Sequence, residues 1–306
     1  MPHRAGASPP AVSVVLPCYV ATDVHLSLLD ETLSSVDAQS CNDYEVIVVD
    51  DGSPLDVARL VASHPRTFTV RQPNAGPAVA RNTGIDVARG SAFVFLDADD
   101  HLLPRGLETA LAALEAHPAC GFAVGPREEM THEGDPVPWA VAPPPAQEDI
   151  YLPLLGFDWA VIPPSAAIFR REVVEALGGF RDPWGADDLD FYLRAAYRFA
   201  AHCFQSPAVT RYRRSGTTAS RDGERLLHSI RAVYDRQWPL VCGQPDAEAA
   251  FGRGLRALTD TFLDCVAENV VDRLRAGNGE GARHSARLLA LESPERLHRI
   301  PEGLAL

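Results

Sequence analysis

Three aspartates, Asp97, Asp99 and Asp100, end the apolar run that opens AFVFLDADDHLLP (Ala92–Pro104). Carboxylates this close repel one another and resist burial. Hard oxygen ligands at D-x-D spacing suit Mg2+ or Mn2+, which take one or two carboxylates together with substrate phosphates. A solvated acidic loop, or the N-cap of a helix starting near Pro104, explains the same residues equally well. Two further acidic groups follow the same pattern. YEVIVVDDGSP (Tyr44–Pro54) ends in Asp50 and Asp51 before a Gly-Ser-Pro turn, and DDGS is also good turn chemistry. WGADDLDFYLRAAYRF (Trp184–Phe199) begins with Asp187, Asp188 and Asp190, which serve a site or charge a helix N-terminus. Arg81 is a candidate cation for such a site, or an exposed helix residue. The four features in this order are more specific than any one of them.

The elements around these groups dictate where they sit. AVSVVLP (Ala11–Pro17) is continuously apolar and rich in β-branched residues, as a buried parallel strand is. Leu26, Leu29, Leu33 and Val36 keep helical spacing over Leu26–Gln39. The segments that follow read as a second buried strand, a short helix (DVARLVASH) and a short strand (TFTVRQ). A helix over Gly76–Gly90 with a glycine stop comes next, then the strand SAFVFLD. Strands alternating with helices at this spacing predict βαβ units and a mostly parallel sheet. Ligands of such sheets bind beyond the carboxyl ends of the strands. Asp50–Asp51 and Asp97–Asp100 both fall there, and Asp97 and Asp99 share a face if the strand runs through them.

A helix is expected in LPRGLETALAALEAHP. The Pro-rich stretch within 125–150 is expected to be a long loop with a binding or lid role. AAIFRREVVEALGGF reads as strand then helix, and AVTRYRRSGTTAS as strand then polar loop. Beyond Gly223, Phe251, Leu255, Leu258, Phe262, Val266 and Val270 keep a helical period. Three regions are thus expected: a disordered tail over 1–10, an α/β domain over 11–222, and a helical C-terminal region over 223–306.

With 28 basic against 41 acidic residues the net charge is −13, which argues against non-specific binding to nucleic acid or anionic membranes. Every basic residue is Arg, so a P-loop and Schiff-base chemistry are excluded. The six cysteines are dispersed without a CxxC pair and read as reduced thiols. The N-terminus lacks an apolar signal core and no run is long enough to span a bilayer. A cytoplasmic protein is expected, with peripheral membrane association and homo-oligomer formation left open.

Five blocks carry a resemblance: VSVVLPCYV, YEVIVVDDGSP, NAGPAVARNTGIDVARG, AFVFLDADDHLLP and GGFRDPWGADDLDFYLRAAYR. Together, in this order over residues 11–215, they resemble the family 2 glycosyltransferases of GT-A fold. The resemblance implies an α/β, Rossmann-like, mostly parallel sheet flanked by helices, here with a helical C-terminal extension. It implies a nucleoside-diphosphate sugar donor, a hydroxyl acceptor and inversion at the transferred carbon. Pro17, Asp51 and Arg81 match positions near the nucleotide, with Asp51 at the base. Asp97 and Asp99 match the motif that holds Mg2+ or Mn2+ and the ribose–diphosphate. Asp188 matches the proposed general base, with Asp187 beside it as the fallback.

Ser215 stands where the family often has a metal-side His in YRRH. Arg213 and Arg214 either replace that charge at the diphosphate or face solvent. The Gln-x-x-Arg-Trp run of processive members is absent, which favours single transfers. Trp139, Trp159 and Trp184 are candidate stacking residues for an acceptor, or ordinary aromatics. Two rival readings are a catalytically degenerate nucleotide-sugar-binding or scaffold protein, and a nucleotidyltransferase. The latter wants a Gly-rich basic loop where PCYVATDVH stands.

Overall fold

The computed structural model describes residues 8–141, 149–158, 162–181, 185–214 and 222–299. The chain runs β1 (Val12–Cys18), α1 (Asp23–Asp37), β2 (Tyr44–Asp50), α2 (Val57–Val61), β3 (Thr67–Arg71), α3 (Pro77–Val87), β4 (Ala92–Phe95), β5 (His101–Leu102), α4 (Gly106–Ala116), β6 (Phe122–Val124), β7 (Arg127–Met130) and β8 (Pro136–Val141). It continues through α5 (Tyr151–Leu155), β9 (Ala167–Arg170), α6 (Arg171–Leu177), α7 (Asp187–Arg198), β10 (Ala201–Cys203), β11 (Thr210–Arg213), α8 (Gly223–Val241), α9 (Pro245–Arg275) and α10 (Gly279–Glu292). Contacts divide the chain into two units. The first comprises residues 1–151, 159–183 and 190–214, and the second 152–158, 184–189 and 215–306.

The first unit carries a seven-stranded sheet in the order β10-β6-β9-β4-β1-β2-β3. β1 pairs in parallel with both β2 and β4, and β2 with β3, whereas β9 runs antiparallel between β4 and β6. Every residue of β1 and β2 is buried, which is why both read as unbroken apolar runs. Helix α3 lies close on β1. A Cβ added at Gly84 would come within 2.4 Å of Val15 Cγ1.

A second, four-stranded sheet has the order β5-β11-β7-β8. It corrects the expectation of a loop over 125–150, because β7 and β8 pair antiparallel. Pro136 and Pro138 are tolerated there because β8 is an edge strand, where a missing N–H costs no ladder bond. The sequence pattern also gave no sign of β10, a strand of three residues.

In the second unit α8, α9 and α10 close around Leu227, Leu263, Val266, Val270, Ala282 and Leu289. Glu224 accepts hydrogen bonds from Arg273 at 2.7 Å and from Ser285, tying the three helices together. Residues 1–7 of the expected tail lie outside the described residues. Among the described residues, no helix is long and apolar enough to cross a membrane.

Candidate active site

The carboxyl ends of β1, β2 and β4 form the floor of the site. Pro17 sits near the end of β1 although β1 is a central strand. Val15 turns its carbonyl toward β4, where it accepts from Leu96 N at 2.9 Å. The nitrogen of Pro17, two residues on, faces the same side, beyond the last β4 rung at Val15–Phe95. No ladder bond is lost there.

At the end of β2 the two aspartates divide their work. Asp50 closes the turn, accepting from Ser53 N at 2.8 Å and from Arg71 Nη1 at 2.5 Å. Asp51 is 5% exposed, and its N–H bonds Cys18 O at 2.9 Å. Asp51 Oδ1 accepts from Gln72 Nε2 at 2.7 Å and from Ala75 N at 2.9 Å, and Oδ2 accepts from Gly76 N at 2.9 Å. Gly76 is the N-cap of α3 and has no side chain to cap with. Asp51 thus supplies across space the carboxylate that favours a helix N-terminus. Three of its roughly four acceptor positions are taken, which leaves one on Oδ2. Thr83 on α3 holds Gln72 in turn, through a 2.5 Å bond to Oε1.

Further along α3, Arg81 is buried, and its Nη2 donates to Asp97 Oδ1 at 2.7 Å. One helix therefore connects both acidic groups, Asp51 at its start and Asp97 at Arg81. Asp97 and Asp99 do not share the face of a strand as expected. β4 ends at Phe95 because its neighbours pair no further, and the chain turns, with Asp100 N bonding Asp97 O at 3.2 Å.

Asp100 points inward at 1% exposure. Its Oδ1 accepts from Arg213 N at 2.9 Å and its Oδ2 from Ser165 Oγ at 3.0 Å. Arg213 faces neither solvent nor the open side of this turn. It is 2% exposed and donates to Asp99 O at 2.9 Å, His132 O at 2.8 Å and Glu31 Oε2 at 2.8 Å. It braces the acidic turn from within. Arg214 is half exposed and lies 2.5 Å from the buried Glu129 carboxylate.

Charge on the turn is incompletely offset. Burial, then the charge of Asp97, pushes the Asp99 carboxyl up to about 6 against the opposing pull of Arg213. Burial, Asp97 and Asp99 hold Asp100 well above the usual carboxylate range, despite its two hydrogen bonds. Burial, Asp50 and Asp51 push the Cys18 thiol up to about 12, so it stays neutral and inert. Among the described residues no group of three or more His, Cys, Asp or Glu side chains forms a metal cage. The donor set nonetheless fits a hard divalent cation of the kind that completes its shell with substrate phosphates. It offers carboxylate oxygens on Asp97 and Asp99, under a repulsion that a cation relieves.

Asp187 and Asp188 open α7 and belong to the second unit. Asp187 is buried, and Asp188 Oδ1 accepts from Leu189 N at 2.7 Å. Asp190 is instead committed to Arg194, at 2.6 Å one helical turn on. Ser215, Trp159 and Trp184 lie outside the described residues, as does the side chain of Trp139. Sequence reasoning missed Gln72, Thr83, Ser165 and Glu31, whose partners are remote in the chain.

The profile of the family described as Glycosyl transferase family 2 matches residues 13–178. The chain belongs to this family, and its enzyme class is that of a glycosyltransferase. It is 31% identical over 248 residues to an uncharacterized protein of Mycobacterium tuberculosis, covering 74% of each chain. It is 40% identical over 110 residues to the succinoglycan biosynthesis protein ExoW of Rhizobium meliloti, covering 34% of each. Over 109 residues it is 36% identical to an uncharacterized glycosyltransferase of Escherichia coli, YibD, 34% of this chain and 30% of that one. The chain thus spans about a third of the length of the last two relatives. Among solved structures, residues 1–349 of S. aureus TarS in complex with UDP-GlcNAc share the fold. The TM-score is 0.60 and the identity 18%, over 92% of this chain and 91% of that one.

Proposed function

We propose that the protein transfers one sugar from a nucleoside-diphosphate sugar to an acceptor hydroxyl, with inversion, in glycoconjugate, polysaccharide or natural-product biosynthesis. The observation that carries this reading is the junction made by α3, which ties together Asp51 and the Arg81–Asp97 pair at the ends of β2 and β4, the two strands that flank β1. Binding of UDP-GlcNAc and UDP by TarS, which shares the fold, supports a nucleotide-sugar donor. Asp51 offers its remaining acceptor position to a nucleobase N–H, and Arg81 orients Asp97 beside the diphosphate.

Asp97 and Asp99 would hold Mg2+ or Mn2+. The cation, when bound, offsets the negative charge that grows on the departing diphosphate. Asp188 takes the acceptor's O–H proton, with Asp187 as the fallback. The acceptor oxygen then bonds the anomeric carbon while the bond to the β-phosphate oxygen breaks and its electron pair leaves with the nucleoside diphosphate. One displacement of this kind inverts the carbon. The absence of a Gln-x-x-Arg-Trp run supports a single transfer per acceptor.

A melting screen of UDP, GDP, CDP and dTDP, with and without Mn2+, tests the reading, because a ligand that binds only the folded state raises its stability. One nucleotide is expected to stabilise the chain more with Mn2+ than without. If none raises the melting temperature under either condition, the proposal fails.

A further inference from the structure

Residue Asn82, next to Arg81 on α3, has no chemistry of its own at the acidic turn. It spends both ends of its amide on a residue 98 positions away. Asn82 Oδ1 accepts from Phe180 N at 2.8 Å, and Asn82 Nδ2 donates to Phe180 O at 2.9 Å. One planar amide thus meets both backbone groups of one residue, as a partner strand would. The approach leaves no room for a side chain at the preceding position. A Cβ on Gly179 would lie 2.3 Å from Asn82 Oδ1, and Gly178 and Gly179 both hold positive φ, +69° and +76°.

The clamp delivers the Phe180 ring to a defined place. The ring stacks on Phe191 at 4.2 Å and meets Phe95 edge-on at 4.7 Å. Phe95 is the last residue of β4, two before Asp97. Arg81 lies over the same ring, its guanidinium carbon 5.3 Å from the centroid, an arrangement that attracts cations. Phe180 therefore packs against Phe95 at the end of β4 and offers its ring to the Arg81 side chain of α3.

We propose that Asn82 is the positioning residue of the Arg81–Asp97 pair, acting through Phe180. The proposal rests on the donor-site reading above. Without the clamp the ring is free to shift, Arg81 loses its platform, and Asp97 is no longer aimed.

A double-mutant cycle read by nucleotide affinity separates this role from plain stabilisation. The probe is whichever of UDP, GDP, CDP and dTDP most stabilises the wild-type chain with Mn2+, titrated by calorimetry. Coupled neighbours show interaction energies that convert to about a ten-fold change in affinity. Asn82→Ala is expected to weaken the probe about ten-fold, and Arg81→Met at least as much. The Asn82→Ala, Arg81→Met double variant should be no weaker than Arg81→Met alone. Phe180→Leu, which keeps the backbone clamp and removes the ring, should reproduce the loss and covers the case in which Asn82→Ala does not fold. Multiplying losses in the double variant, or wild-type affinity in Phe180→Leu, overturns the proposal while leaving the donor site standing. Failure of the wild-type chain to bind any of the four nucleotides overturns the donor-site reading itself.

Discussion

Replacing Arg213 with Met keeps most of the volume and removes the charge, and its cost follows from the contacts. Three charge-assisted bonds to oxygen are lost, to Asp99 O, His132 O and Glu31 Oε2, together with a 3.3 Å contact to His101 Nε2. At a net value of about 1.5–3 kcal/mol each, three independent bonds would cost roughly 5–9 kcal/mol. They share one guanidinium, and the half-exposed Glu31 carboxylate regains water when its partner goes, so that sum is an upper bound. Asp99 in turn loses the Arg213 charge that opposes its raised carboxyl. The net expectation is a loss of about 2–4 kcal/mol. For domains of 150–250 residues each kcal/mol is worth about 2–4 °C, so calorimetry should find melting lower by roughly 5–15 °C. Nucleotide affinity should fall only as far as the acidic turn loosens. Unchanged melting together with lost diphosphate affinity would refute the reasoning, because Arg213 would then be a ligand contact and not an internal brace.

Other outcomes follow from the same geometry. The folded-state pKa of Asp99 is raised to about 6, so the native chain binds its proton more tightly than the unfolded one. That contribution to stability is present at low pH and fades as pH rises through about 6. Asp99→Asn should therefore raise the melting temperature of the metal-free protein at pH 7 and leave it nearly unchanged at pH 4, while abolishing any stabilisation by Mn2+. A lower melting temperature at pH 7 would contradict this. Asp188→Asn should lower turnover by about 10²–10⁴-fold with nucleotide affinity intact, as loss of a general base does. Near-wild-type turnover moves that role to Asp187. Gly84→Ala should cost about 1–3 kcal/mol through overpacking of α3 on Val15 and Val49, read as a lower denaturation midpoint.

Legibility of the fold depended on how local each signal was. β1 and β2 were plain because strands covered on both faces must be apolar throughout. The positions of Asp51 and Asp97 just past strand ends followed from the βαβ alternation, and that of Arg81 from the helix between those strands. The turn at Asp97–Asp100 was not legible, since β4 stops where its neighbours stop pairing, and that register is a long-range fact. β8 was hidden by prolines that only an edge strand admits. Arg213 looked like one of two similar arginines in a polar strand. What sets it apart is partners 81, 114 and 182 residues away. Asn82 was in plain view inside ARNTG, but the residue it clamps is 98 positions on.

The central claim is that Asp97 and Asp99 form the cation-assisted donor site of a sugar transferase. The most direct measurement is release of nucleoside diphosphate from UDP-GlcNAc and a panel of related nucleotide-sugars, with Mn2+ or with chelator. Wild-type chain, Asp97→Asn and Asp99→Asn are compared at matched folding. The account predicts release by the wild-type chain with Mn2+ from at least one donor, and loss of that release with chelator and in both variants. Release that persists in Asp97→Asn and Asp99→Asn, or that is indifferent to Mn2+ and chelator, would contradict it.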